Sequence, residues 1–255
     1  MKRGRVIDIS NCCVHVTQRC HNRQFMLKFG LDRRNYVRRL RKTSRRFAVS
    51  VLDYVVTSNH VHLLLRADRI SQISDAMQYL QGLTARDFNR RKGRSGAFWG
   101  DRFHPTLVES GAHLSRCVYY IGLNMVRAGA VEHPQQWSAS GYHELSGRRQ
   151  RYRILDLSTL LHRLELCGRV DRFRQWYVKT MDEMSSSGYL CREPCWTEAT
   201  AVGSRDWVES LADSVISGRK QVVPIDSPEG VVREEDQPSY ALNLSARQSH
   251  MLWEA

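Results

Sequence analysis

His60 and His62 stand one residue apart in Asn59-His60-Val61-His62-Leu63. On a strand that spacing puts both imidazoles on one face, while Val61 and Leu63 take the other. Two neutral imidazoles so placed can share a metal ion, or they can be two partly exposed histidines; a third donor separates the readings. The stretch 116–127 offers one. Tyr120 and Asn124 are four apart and therefore neighbours on a helix face. Leu114, Val118, Ile121 and Met125 form a separate apolar stripe that can pack on a sheet. A tyrosine hydroxyl held beside a metal can act as a nucleophile in phosphoryl transfer. Without a metal it is an ordinary packing residue with its hydroxyl at the edge. His15, His21 and His104 are other candidate ligands or substrate contacts, to which residue type alone assigns no role.

These residues need a frame. A β-branched run at 14–17, a helix over 31–46, strands over 47–56 and 60–65 joined at Thr57-Ser58-Asn59, a helix over 70–91, a strand over 103–109 and a helix over 112–128 stopping at Gly129 are predicted from periodicity and turn residues. The order β-α-β-β-α-β then α predicts an α+β fold: a ferredoxin-like four-stranded antiparallel sheet with helices on one face. A Ser-, Gly- and Arg-rich stretch at 138–153 marks a boundary near 150, and helical periodicity resumes at 155–166 and 170–184. The expected organisation is a catalytic domain at 1–150, a mainly helical extension at 151–221 and a disordered acidic tail at 222–255.

Charge is divided along the chain. The formal net charge is +13, but residues 1–153 carry 28 Lys and Arg against 10 Asp and Glu, and the remainder 11 against 16. A polyanion such as nucleic acid is the natural partner of the basic part. Between Arg33 and Arg46 eight of fourteen residues are basic and none is acidic, more than a solvated helix face requires. Seven scattered cysteines and no long apolar segment point to reduced thiols in a soluble protein of the cytoplasm, associated with the nucleoid through its DNA. Cys191 and Cys195 lack the second cysteine pair of a structural zinc site.

Asn59-His60-Val61-His62-Leu63 resembles the His-hydrophobic-His motif of single-strand DNA transposases. Tyr120-Ile121-Gly122-Leu123-Asn124-Met125-Val126-Arg127-Ala128-Gly129 is similar to their catalytic-tyrosine helix. His15-Val16-Thr17-Gln18-Arg19 and Phe98-Trp99-Gly100-Asp101-Arg102-Phe103 extend the resemblance, which runs over residues 6–142 and is nearest to the REP-associated tyrosine transposases. A weaker likeness continues through Glu193-Pro194-Cys195-Trp196 to Ala201-Val202-Gly203-Ser204, as in longer members. Three positions depart from the common pattern. Thr57-Ser58 replaces Met-Pro, Asn124-Met125 replaces Asn-Pro, and Gly122 stands where many members carry His or Glu.

The resemblance implies cleavage of single-stranded DNA by Tyr120, with a 5′-phosphotyrosine intermediate and a free 3′-OH, on short imperfect palindromes that fold into hairpins. It implies His60, His62 and Asn124 as metal ligands, and mixed imidazole and amide-oxygen donors suit Mg²⁺ or Mn²⁺. The cations expected on DNA are Arg33, Arg34, Arg38, Arg41 and Arg45 of the first helix, Arg90, Arg91, Lys92 and Arg94 after the second, and Arg19, Arg102 and Arg127 within the motifs. Trp99 and Phe103 are candidates to stack on unpaired bases, or else to pack in the core. A monomer and a homodimer fit the sequence equally. The rival readings are a transposase-derived DNA-binding protein that does not cut, and a water-using metal nuclease in which Tyr120 is structural.

Overall fold

Val14 and Val16 alternate with Cys13, His15 and Thr17, and the alternation is that of a strand buried on both sides. In the computed structural model, which describes residues 12–187, 191–214, 221–225 and 239–243, this segment is β1 (Cys13–Arg19) and lies inside the sheet. It pairs antiparallel with β3 (His60–Arg66) on one side and with β4 (His104–Val108) on the other. β2 (Ser50–Val56) joins β3 as the hairpin predicted around Thr57-Ser58-Asn59. A register shift between Val51 and Asp53 adds one residue, Leu52, to β2.

Two helices cover one face. α1 (Gly30–Arg46) buries Tyr36, Leu40 and Thr43, and α2 (Ile70–Lys92) buries Ile73, Met77 and Leu80 before Gly93 ends it in the left-handed conformation. They pack over Val14, Val16, Val61, Leu63 and Leu65. The opposite face carries Cys13, Leu64 and Val108 under α3 (Ala112–Gly122), α6 (Leu157–Arg163) and α7 (Val170–Ser186). α5 (Tyr142–Leu145) adds Tyr142 and Leu145 to this second core.

The expectation of a four-stranded antiparallel ferredoxin-like sheet with helices on one face is overturned. Among the described residues the sheet has seven strands in the order β2-β3-β1-β4-β5-β7-β6, where β5 is Ala201–Gly203, β6 is Gln221–Ile225 and β7 is Ser239–Asn243. It is mixed, because β4 and β5 run parallel, and it is covered by helices on both faces. The physical reason is the edge of β4. Four strands would leave its outer polar groups bare, and Ala201 and Val202 are apolar enough to pair there, both buried. β5 is only three residues long, too short to stand out in the sequence.

Parts of the stretch expected to be a disordered tail, Val222 to Ile225 and Ser239 to Asn243, are therefore strand; the rest of 222–255 lies outside the described residues. The helix expected over 112–128 is also broken. Leu123, at φ −85° and ψ 1°, separates α3 from α4 (Asn124–Arg127). No helix among the described residues is long and apolar enough to cross a membrane.

Candidate active site

β3 sets the two histidines on the α3 face, beside β1, where Thr17 is the partner of His62 and Arg19 of His60. Each histidine is held through Nδ1. His60 Nδ1 lies 2.7 Å from Asn59 Oδ1 and 2.9 Å from Thr57 Oγ1, so the turn that closes the hairpin also orients the ring. His62 Nδ1 lies 3.0 Å from His15 Nε2, and the two rings stack with centroids 5.1 Å apart. With Nδ1 as the donor, Nε2 of each ring carries the lone pair, the form a metal takes, and in His62 that lone pair faces the Asn124 amide. Burial, chiefly, lowers the pKa of His15 to about 3 and of His60 to about 4. It also holds His62 well below the ordinary value, with His60 and His15 adding to the effect. All three are neutral at pH 7.

α3 and α4 close the site from above. After the break at Leu123, the amide nitrogen of Asn124 lies 3.1 Å from His62 Nε2. The Tyr120 ring sits 5.8 Å from the His62 ring and 6.0 Å from the His15 ring, edge to face with both. Arg127 lies over the Tyr120 ring at 4.0 Å and donates to the Tyr120 carbonyl at 3.1 Å. Burial raises the phenol's pKa, and the Arg127 charge works against that rise. His62, Asn124 and Tyr120 thus meet within one chain. Among the described residues no three His, Cys, Asp or Glu side chains converge on one metal position. A divalent ion here would need the Asn124 amide oxygen as a donor beside His60 and His62, and the chemistry of that set fits Mg²⁺ or Mn²⁺.

These residues line a cleft of about 730 Å³. Arg19, Arg102 and Arg127 are in its wall, as are His21 and His104. The cations of α1 and α2 lie elsewhere and differ in their state. Arg34, Arg38 and Arg45 are exposed. Arg33 is occupied by the carbonyls of Leu27 and Lys28 and by the face of Trp137. Arg41 sits over Tyr152, Arg90 pairs with Asp87, and Arg91 pairs with the buried Asp32. Arg94 bonds Asn89 and the Ala97 carbonyl. Lys92 lies over Phe29. Trp99 donates to the Gln81 carbonyl and packs edge-on against Tyr36 and Phe98, so its ring serves the core.

Two contributions were given no role by the sequence. His15 forms the third member of the His15–His62–Asn124 line, and its spacing from Thr17 on β1, two residues, was the available signal. The other is α8 (Cys195–Glu198) in the C-terminal extension. The Trp196 ring lies tilted at 6.0 Å from Tyr120 and edge-on at 6.4 Å from His15, while Thr197, Glu198 and the preceding Arg192 line the cleft. Glu193 secures this segment, accepting from Trp196 Nε1 at 3.0 Å and from Arg116 at 3.2 Å. Gly122 faces away from the site, and a Cβ there would meet Met181 and Tyr177 of α7. The departure at 122 is therefore a packing choice between helices.

Residues 8–124 match the family model described as transposase, IS200 like. No curated protein matches the chain. Among solved structures, the chain is similar to a REP-associated tyrosine transposase bound to a REP hairpin, with TM-score 0.47 and 20% identity over 60% of this chain and 90% of that one. It is also similar to a protein of Deinococcus radiodurans R1 provisionally assigned as a transposase, with TM-score 0.35 and 20% identity over 46% of this chain and 91% of that one.

Proposed function

Residues 8–124 belong to the IS200-like transposase family, and on that premise we propose that the protein is a divalent-metal-dependent single-strand DNA endonuclease and strand transferase that cuts with Tyr120. The observation that carries the reading is the meeting of His62, Asn124 and the Tyr120 ring in one arginine-walled cleft, with both histidines held through Nδ1 and His62 Nε2 turned to Asn124. Hairpins formed by imperfect palindromes are the substrate class that the motifs imply.

Tyr120 Oη attacks the phosphorus in line with the 3′-oxygen. The Oη–P bond forms and the P–O3′ bond breaks. The phenolic proton leaves the tyrosine, and the departing 3′-oxygen takes one up to end as a 3′-OH. Because burial favours the protonated phenol, the Arg127 guanidinium over the ring is this chain's own means of favouring the phenolate. His60, His62 and Asn124 would hold Mg²⁺ or Mn²⁺, which would supply Lewis-acid polarisation of the phosphate. The 5′-phosphotyrosine keeps the phosphodiester bond energy, so the 3′-OH of another strand can reverse the exchange and rejoin. Arg19, Arg102 and Arg127 hold phosphate oxygens in the cleft.

The test is incubation with end-labelled hairpin oligonucleotides and Mn²⁺ or Mg²⁺, followed by a denaturing gel. A metal-dependent protein-DNA adduct that vanishes in Tyr120→Phe is expected. Cleavage without adduct that survives Tyr120→Phe would establish hydrolysis by water instead. Tight binding without cleavage would leave a DNA-binding protein derived from a transposase.

A further inference from the structure

Among the described residues four large hydrophobic side chains are exposed, and three of them, Phe25, Phe29 and Leu31, fall within seven residues of one another, at 65%, 58% and 48%. Scattered exposed apolar side chains are ordinary; a cluster of this kind marks a contact surface. The segment is firmly seated. Met26 and Leu27 are buried beneath it, Leu27 N donates to the Ser58 carbonyl at 2.9 Å, and Asn59 Nδ2 donates to the Arg23 carbonyl at 3.1 Å. Arg33 clasps the carbonyls of Leu27 and Lys28. The two phenylalanines are thus presented by a fixed backbone.

Their surroundings are cationic. No acidic residue occurs between Asp8 and Asp32, and Asp32 is buried and paired with Arg91. Arg23 and Lys28 are exposed on the same segment, Lys92 Nζ lies 5.1 Å from the Phe29 ring, and Arg34 Nη1 lies beside Gly30. The segment begins at the cleft, whose wall includes His21, Asn22 and Arg23. Asn22 and Arg23 have positive φ, 50° and 57°, which turns the chain out of the cleft towards Phe25.

Exposed aromatic rings among cations, leading away from an arginine-walled cleft, are what a single strand of nucleic acid requires: stacking for its bases and charge for its backbone. We infer that Phe25 and Phe29 form a stacking platform for the unpaired bases of the DNA strand that leaves the cleft past Arg23. Trp99 and Phe103, the two aromatic residues that the sequence offered for this role, both pack against the core. The inference rests on the single-strand DNA reading above and adds the residues that grip the strand outside the reacting phosphate.

The test compares binding of the full-length protein and its Phe25→Ala/Phe29→Ala variant to two fluorescent probes, a DNA hairpin with single-stranded thymine tails and the same hairpin with blunt ends. The variant is expected to bind the tailed hairpin about tenfold more weakly for each ring removed. Its affinity for the blunt hairpin and its salt dependence should be unchanged and its melting temperature should move little, since no charge is removed and both rings are more than half exposed. Phe25→Trp should retain tail binding. Equal tail affinity in variant and wild type would overturn the platform while leaving the enzyme reading intact. Loss of a concentration-dependent dimer in sedimentation, with tail affinity kept, would overturn it in favour of contact between two copies of the chain. A wild-type protein that binds neither probe would remove the single-strand DNA reading and the platform together.

Discussion

Replacing His15 by phenylalanine preserves the ring that fills the space between Tyr120, Trp196 and His62 and removes its nitrogen atoms. His62 Nδ1, which is 3.0 Å from His15 Nε2, then has its N–H buried without a partner, since His62 is only 2% exposed. A buried donor left unpaired costs about 1–3 kcal/mol. His62 can recover part of this by moving its proton to Nε2 and bonding Asn124 through it, but that tautomer has no lone pair for a metal. The loss should therefore appear in metal affinity, about 10- to 100-fold, the range found when a partner of a metal-bound histidine is removed. Calorimetric titration of Mn²⁺ into His15→Phe and His15→Gln measures it. Glutamine keeps an acceptor oxygen near the old Nε2 and should recover much of the affinity. If His15→Phe keeps its melting temperature and binds Mn²⁺ within twofold of wild type, the argument that His15 fixes the His62 tautomer fails.

The folded protein should lose stability as pH falls from 6.5 towards 4. His15 and His60 have folded pKa values of about 3 and 4, below the unfolded value, so the unfolded chain takes up protons first. Each histidine still neutral in the fold contributes a slope of about 1.4 kcal/mol per pH unit, measurable by urea unfolding in a metal chelator. Asp53, buried and with its pKa raised well above the usual carboxylate value, works in the opposite direction. The experiment is cleanest in Asp53→Asn, and a flat profile there would contradict the buried neutral histidines. Restoring the common family residue with Gly122→His should lower stability by about 1–3 kcal/mol through overpacking against Met181 and Tyr177, and should not raise nicking. A gain in activity without loss of stability would show that position 122 reaches the site.

The sequence by itself determined the candidate residues and their local supports. His60 and His62 share a face because strand periodicity is a property of the backbone, and α1 and α2 follow from apolar spacing and from the stop at Gly93. The meeting of Tyr120 with Asn124 was legible as a separation of four, although the structure achieves it through a break at Leu123 that no residue type announces. What only the tertiary structure decided involves residues far apart in the chain. His15 is 47 positions from His62, and their bond exists because β1 and β3 pair in one register. Trp196 reaches Tyr120 because β5 adds to the edge of β4, a pairing of two residues too short to leave a periodic signal. For the same reason the sheet has seven strands rather than four. Local pattern reports which face a residue takes; which distant strand completes an edge depends on hydrogen-bonding groups that every residue carries alike.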